Sequence, residues 1–160
     1  MVLINTSIEI NAPPAVVREK FLDFSSIPTY TKGFVHSIIP TPAKPPSSLV
    51  PGDKLACVMG NMKFSPVVVR NEPSIFSWRG SLPLVFTGEH MFRFEEIPAT
   101  TPDGASTTRL VHEEEFSGLL AGIMGEGWMG SLSGMRADSL KGFEGFNVDF
   151  KRWVEGSGSQ

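Results

Sequence analysis

Apolar and polar residues alternate with a period of two in several segments, and this pattern predicts β-strands. The first such segment covers residues 2–10. Further strands are predicted over 34–40, 54–59, 62–70, 75–80, 84–96 and 106–116. The pair Gly60-Asn61 favours a tight hairpin turn, and the loop 98–104 joins the two longest strands. We therefore expect an antiparallel sheet with short connections.

Helical spacing occurs in three places. Proline suits the first turn of a helix, so Pro13-Pro14 predicts a helix that continues to Phe24. A short helical turn is predicted over 25–30, with Ser25 or Ser26 as its cap. A long helix is predicted over 127–154, with one stripe formed by Trp128, Leu132, Met135, Ser139, Phe143, Phe146 and Phe150.

Four glycines interrupt this last helix, at 130, 134, 142 and 145. Each costs up to about 1 kcal/mol relative to alanine. Either they permit close backbone packing or the helix is mobile, and the sequence leaves both readings open.

The predicted order is one strand, two short helices, six strands and one long terminal helix. This order predicts an α+β architecture in a single domain over residues 1–155, followed by a flexible tail at 156–160. A chain of 160 residues is long enough to bury a real core without disulfides or metals.

The net charge and the cysteine content limit which classes of partner and which cellular compartment we expect. Fourteen basic and seventeen acidic residues give a net charge of −3, which offers no broad positive field for nucleic acid. The lone Cys57 excludes an internal disulfide and suits a reducing compartment, where we expect it to be packed in a strand. We find no secretory signal and no apolar run long enough for a membrane span, so we expect a cytoplasmic protein.

The two longest predicted strands carry the chemistry. On one parity they place together Phe86, His90, Phe92, Phe94, Leu110, His112, Glu114 and Phe116. A strand face intended only for a core rarely carries two His and one Glu among aromatics. This face is therefore predicted to be the polar end of an apolar pocket.

A hairpin centred near Thr101 or Pro102 would place His90 opposite the segment 112–114, with Cβ atoms roughly 5 Å apart. A buried Glu beside a His either pairs as carboxylate with imidazolium or stays protonated, and both forms can move a proton. Glu114, His112 and His90 are thus the catalytic candidates. The alternative is a hydrogen-bonded structural cluster. Alternation places Glu113 and Glu115 on the outer face, as solvated residues.

A metal site is a weaker interpretation of the same residues. His90, His112 and Glu114 are suitable ligand types, but no two histidines are closely spaced, and His36 lies on a distant predicted strand. We expect no metal.

Candidate pocket residues are mostly large and apolar, and each is also explicable as plain core. Arg136 could hold a carboxylate or phenolate at the pocket rim. The ligand-binding candidates are Trp78, Trp128, Met135, Arg136, Leu132, Phe92, Met59, Phe64 and Tyr30.

Several motifs resemble the START-like, helix-grip superfamily known as SRPBCC, in its polyketide cyclase/dehydratase-like subgroup. The motifs are Ala12-Pro13 with Val16-Val17 and Asp23-Phe24, Pro51-Gly52-Asp53-Lys54-Leu55, Trp78-Arg79-Gly80, Gly88-Glu89-His90-Met91-Phe92 and the run from Thr108 to Gly118. The resemblance covers about residues 4–155. It implies a seven-stranded curved sheet that grips the terminal helix around a cavity. It also implies that the helix of relatives commonly carries an Asn near the position of Arg136.

The resemblance implies a small hydrophobic ligand and no cofactor. Cyclases and dehydratases of this superfamily use cavity acids and bases, whereas other members only carry apolar ligands. We expect cofactor-free cyclisation, dehydration or isomerisation, with non-catalytic ligand or lipid carriage as the alternative. A third reading is an interaction module that uses the proline-rich loop 41–51. The oligomeric state is open.

Overall fold

The computed structural model describes residues 2–82, 86–117 and 130–156. Three α-helices and eight strands lie in these ranges. The helices are α1 (Pro14–Leu22), α2 (Ile27–Tyr30) and α3 (Gly130–Gly156). The strands are β1 (Val2–Ile10), β2 (Val35–Thr41), β3 (Lys54–Met59), β4 (Met62–Phe64), β5 (Val67–Glu72), β6 (Ile75–Leu82), β7 (Phe86–Ile97) and β8 (Thr107–Ser117).

Seven of these strands form one antiparallel path in the order β1-β8-β7-β6-β5-β3-β2, and the short β4 pairs with β3 beside it. The strand predicted over 62–70 is divided into β4 and β5 at Ser65-Pro66. Proline has no N–H to donate to a neighbouring strand, which explains the interruption. The predicted seven-stranded sheet, with two short helices after its first strand, is confirmed.

The hairpin of β7 and β8 has the register expected from its loop. His90 lies opposite Glu114, and Phe92 lies opposite His112, so the pairing is centred on Pro102. β8 also pairs with β1, which makes it an interior strand with neighbours on both sides.

Aromatic side chains fill the space between the sheet and the helices. Phe143, Phe146 and Phe150 follow the helical period and are all buried, as the stripe predicted. Phe21 of α1 lies 4.4 Å from Phe92 of β7, between ring centroids, and also meets Phe150 edge-on. This packing of one long helix against the sheet is the predicted helix-grip fold.

The helix glycines have different roles. A Cβ atom on Gly142 would lie only 2.5 Å from Cγ of Phe34, so this glycine permits close packing. A Cβ on Gly134 or Gly145 would meet nothing within 4 Å. Close packing therefore explains one of these glycines, and the structure gives no packing reason for the other two.

Two local expectations were wrong. Neither Ser25 nor Ser26 caps α2, because both hydroxyls donate instead to the carboxylate of Asp23. These hydrogen bonds lower the pKa of Asp23.

Glu113 lies on the outer face as predicted, but it is only 8% exposed rather than solvated. It accepts a hydrogen bond from Asn5 of β1 and pairs with Arg93 of β7 at 3.1 Å. The position of β8 inside the sheet explains the difference, because its neighbours on both sides supply long side chains that cover the carboxylate. Glu115 is intermediate in exposure.

Cys57 is buried as expected, and burial raises the pKa of its thiol to about 12. Among the described residues, no helix combines the length and apolarity needed to cross a membrane.

Candidate functional site

Four polar side chains form a continuous chain between the sheet and α3. Nδ1 of His90 lies 3.7 Å from the Glu114 carboxylate. Nε2 of His90 lies 2.5 Å from Nε2 of His112. Nδ1 of His112 lies 3.1 Å from Oδ1 of Asn147. The sheet register places the first three residues on adjacent strands, and α3 contributes the fourth.

Aromatic rings enclose both histidines. The indole of Trp78, opposite His90 in the β6–β7 pair, stacks on the imidazole at 4.8 Å between centroids. The ring of Phe143 stacks on His112 at 4.1 Å. These faces cover the imidazole planes and exclude water from them.

The two histidines have different surroundings. His112 is fully buried, and this desolvation lowers its pKa well below the ordinary value. The neighbouring His90 lowers this pKa further, whereas the hydrogen bond to Asn147 opposes the shift. His112 is therefore neutral near pH 7, with one ring nitrogen carrying a proton and the other able to accept one.

Glu114 forms the more accessible end of the chain. Its side chain is 21% exposed, compared with 3% for His90. Gly88 of β7 provides the room that this carboxylate occupies, since a Cβ there would lie 3.2 Å from Oε1 of Glu114. A carboxylate with this access can exchange protons with a bound molecule, while the histidines behind it remain shielded.

Asn147 was not among the predicted site residues. It lies four residues after Phe143 and three before Phe150, so the helical stripe that predicted the core also passes through position 147. A polar amide in the middle of an apolar stripe was the available signal. The resemblance implied an Asn in relatives near position 136, where this chain has Arg, and the helix amide that meets the histidines in this structure is Asn147.

The structure brings together some of the predicted ligand-binding residues. Trp78 and Phe92 are buried beside the histidines. Tyr30, the last residue of α2, packs against a more C-terminal part of α3. Its ring stacks on Trp153 at 4.6 Å between centroids and contacts Phe146 and Phe150.

Two further ligand-binding candidates pack in the same apolar cluster as Trp78 and Phe92, and the others are exposed or not described. Met59 is buried at the end of β3, and Phe64 lies on β4 with its ring beside Gly80 of β6. Arg136 is exposed and approaches the carbonyl of Leu3 at 3.4 Å. Trp128 and the side chains of Leu132 and Met135 lie outside the described residues.

Metal coordination finds no geometric support in the described ranges, where no group of three His, Cys, Asp or Glu side chains is arranged to hold an ion. His36 is exposed on β2. A surface concavity of about 800 Å³ lies beside the start of α1, between Pro13, Arg70 and Arg93. None of the predicted site residues lines it.

Solved structures share this fold at low sequence identity. The crystal structure of TTHA0849 from Thermus thermophilus matches with a TM-score of 0.66 and 14% identity, over 99% of this chain and 100% of that one. The di-domain ARO/CYC protein BexL from the BE-7585A biosynthetic pathway matches with a TM-score of 0.64 and 17% identity, over 96% of this chain and 50% of its own. DynU16 from the dynemicin biosynthetic locus matches with a TM-score of 0.63 and 18% identity, over 96% and 47%.

These likenesses establish the fold. No curated protein sequence matches the chain. The profile of the family described as polyketide cyclase / dehydrase and lipid transport matches residues 1–144. The chain therefore belongs to this SRPBCC-type family, and its membership supports a role in binding or cyclising a hydrophobic small molecule without assigning an activity.

Proposed function

We propose that this protein binds a small, largely apolar organic molecule and catalyses a cofactor-free cyclisation, dehydration or isomerisation on it. The observation that carries the proposal is the buried chain Glu114–His90–His112–Asn147. Buried polar groups are costly unless they are paired, and this chain ends in a partly exposed carboxylate. The family and its two biosynthetic neighbours support a ligand of the polyketide or aromatic class.

In this proposal Glu114 is the group that meets the substrate. Its carboxylate takes a proton from a carbon next to a carbonyl group, the C–H bond breaks, and the electron pair moves into the carbonyl to form an enolate. The proton then lies on Glu114 and returns to the enolate at carbon or oxygen. No metal or external oxidant is needed for this balance.

His90 and His112 act behind the carboxylate. An imidazole beside Glu114 can share the proton that the carboxylate receives, and the neutral His112 can accept a hydrogen bond from His90. Trp78, Phe92 and the rings of α3 provide an apolar surrounding. In such a medium each hydrogen bond along the chain is electrostatically stronger than it would be in water, which holds the acid–base groups in place.

A deuterium-exchange assay tests the acid–base role without knowledge of the natural substrate. The probe is 2-tetralone, an aryl-fused ketone with exchangeable protons next to its carbonyl, followed by NMR in D₂O. We expect the protein to accelerate exchange and Glu114→Gln to lower the acceleration by about 10²–10⁴-fold. Binding of an apolar fluorescent dye should be retained in this variant.

The matched control is Glu115→Gln, which removes a carboxylate one position away, on the other face of β8. It should exchange deuterium at the same rate as the natural protein. Equal exchange rates for the natural protein and Glu114→Gln would contradict the catalytic role.

A non-catalytic carrier is the second candidate, and one observation favours it. His112 and His90 are 0% and 2% exposed, so the polar chain could serve only to join the sheet to α3. A carrier should bind an apolar dye saturably without accelerating exchange. Met135→Lys should abolish that binding if the predicted stripe of α3 faces the ligand.

A further inference from the structure

The polar chain admits two complete arrangements of its protons. In the first, Nδ1–H of His112 donates to Oδ1 of Asn147, which is the amide atom that faces it. Nε2 of His112 then carries no proton and accepts a hydrogen bond from Nε2–H of His90. The far nitrogen of His90 lies 3.7 Å from the Glu114 carboxylate, at ion-pair distance, and the pair holds one further proton, either as imidazolium with carboxylate or as imidazole with carboxylic acid.

In the second arrangement the donor and the acceptor of each hydrogen bond are exchanged. The amide of Asn147 is turned by half a rotation, so that Nδ2–H donates to a bare Nδ1 of His112. Nε2–H of His112 then donates to His90, and Nδ1–H of His90 points to the Glu114 carboxylate. Each of the two hydrogen bonds again contains one proton, and Nδ1–H of His90 faces the carboxylate at 3.7 Å.

These arrangements differ by one proton. The first places three protons on the two rings and the carboxylate, and the second places two. The first is therefore neutral overall, and the second carries one negative charge. When the pair is deprotonated, the carboxylate favours an N–H on the His90 nitrogen that faces it, and this choice reverses both hydrogen bonds up to the amide of Asn147.

Close contact and burial make the coupling strict. Two nitrogens 2.5 Å apart hold one proton between them, because two N–H groups would collide and two lone pairs would repel. His112, Asn147 and His90 are at most 2% exposed, so bulk water does not substitute for a broken link.

Other described groups on this side of the sheet do not compete for the proton. Opposite the chain, β1 contributes Ile4 and Thr6. The strand β6 contributes Trp78, and α3 contributes Phe143 and Phe146. The only titratable side chains among these described contacts are Glu114, His90 and His112.

We propose that Asn147 is a positioning residue whose amide reverses orientation when the Glu114–His90 pair gains a proton, so that the tautomer of His112 follows the ionisation of that pair. This inference rests on the proposed function, in which Glu114 gains that proton from the substrate. The orientation in the structure is that of the protonated arrangement. Because the Asn147 amide can either donate or accept a hydrogen bond, the buried chain can receive a proton at one end without losing the hydrogen bond at the other.

Nitrogen-15 NMR of histidine-labelled protein tests this directly. The chain has three histidines, and His36 is exposed on β2, apart from the buried pair. At high pH we expect the His112 proton on Nε2. As the pH falls and the Glu114–His90 pair gains its proton, that resonance should be replaced by one for Nδ1–H. A His112 tautomer that stays constant through this proton uptake would overturn the proposal.

Two variants give opposite expectations. Asn147→Asp presents only acceptor oxygens, so it should hold His112 with its proton on Nδ1 over the whole pH range. Glu114→Gln removes the carboxylate that favours Nδ1–H on His90, so the tautomer of His112 should lose its pH dependence, while Glu115→Gln should behave as the natural protein. A pH-dependent reversal in Asn147→Asp would contradict the role of the amide.

The natural protein alone decides the question if the Asn147 variant does not fold. These spectra are recorded without substrate, so they are independent of the exchange assay. Reversal of the tautomer with no deuterium exchange would refute catalysis and retain the coupling. Deuterium exchange by a protein in which the His112 tautomer stays constant would support catalysis and refute the coupling.

Discussion

Two parts of the core lie side by side between the same sheet and the same helix, and they are built differently. The apolar half surrounds Phe21, Phe150 and Val154, which belong to one buried apolar cluster. The polar half contains Glu114, His90, His112 and Asn147. Phe92 contacts both Phe21 and His112, so the two halves share a wall.

The comparison shows how one strand pattern can serve two purposes. In the apolar half, tight ring packing supplies stability, and the identity of each ring matters mainly through its volume. In the polar half, each group depends on a specific partner, so a change that preserves volume still breaks a link. We therefore expect substitutions in the apolar half to act mainly through the change in side-chain volume. Substitutions in the polar half should act mainly through altered protonation or altered side-chain shape.

The largest effect is expected from removing a ring in the apolar half. Phe150 is fully buried and contacts Phe21, Tyr30 and Phe146. Phe150→Ala should lower the free energy of unfolding by about 3–5 kcal/mol, through lost burial and a residual cavity. Urea denaturation followed by circular dichroism measures this change.

Val148 provides the control on the same helix, because its side chain is 45% exposed. Val148→Ala should change the free energy of unfolding by no more than about 0.5 kcal/mol. Similar losses for the two variants would mean that α3 is not docked through the face described above.

Alanine substitutions at two glycines of α3 distinguish the effect of close packing from the effect of helix propensity. Gly142→Ala places a methyl group against the ring of Phe34 and should destabilise the protein by about 1–3 kcal/mol. Gly145→Ala meets no atom within 4 Å and should stabilise it by up to about 1 kcal/mol, because alanine favours the helix. Thermal and urea unfolding of both variants provide the measurement.

A smaller side chain at position 34 tests whether the contact with the Phe34 ring causes the loss of stability. Phe34→Leu, combined with Gly142→Ala, should recover part of the loss, since the colliding ring is replaced by a smaller group. An equal loss with and without the Phe34 substitution would show that the ring contact is not the cause.

The sequence predicted the apolar half more completely than the polar half. Alternation and helical spacing identify which residues face inward, and the hairpin loop placed His90 opposite the segment 112–114, within which the structure pairs it with Glu114. Asn147 was missed because the helical stripe was traced from Phe143 through Phe146 to Phe150, which passes over position 147. The covering of Glu113 by Asn5 and Arg93 depends on strand order, which residue periodicity does not contain.

The polar half should lose stability in mild acid. Burial holds the pKa of His112 well below its ordinary value in the folded protein, whereas in the unfolded chain it is near 6.5. Below about pH 6.5 the unfolded state therefore binds a proton that folded His112 does not. The free energy of unfolding should fall by up to about 1.4 kcal/mol for each pH unit of further acidification.

The comparison with His112→Gln isolates this contribution, because glutamine does not titrate. Urea unfolding between pH 5 and 7 should show a steeper loss in the natural protein than in the variant. Parallel stability curves would indicate that folded His112 takes up its proton as readily as an unfolded histidine does.

The smallest effect concerns the one hydroxyl in the apolar half that lacks a partner. The Tyr30 oxygen is buried without a hydrogen bond in the described structure. Burial raises the pKa of this phenol, and the carboxylates of Asp23 and Asp149 raise it further, so it stays neutral. Removing an unpaired buried hydroxyl costs nothing in hydrogen bonding, so Tyr30→Phe should leave stability unchanged or raise it by up to about 1 kcal/mol.

Ligand binding gives the same substitution a second consequence if Tyr30 lines the proposed pocket. A hydroxyl that donates to a ligand oxygen contributes about 1 kcal/mol, so Tyr30→Phe should weaken binding of 2-tetralone by up to about tenfold. Binding of the parent hydrocarbon tetralin, which has no oxygen, should be unaffected, and fluorescence titration with both ligands provides the measurement. Equal affinities of the two proteins for 2-tetralone would place the hydroxyl away from the ligand. A loss of stability in Tyr30→Phe would show instead that the hydroxyl is paired in solution, and the apolar half would then contain a polar link of its own.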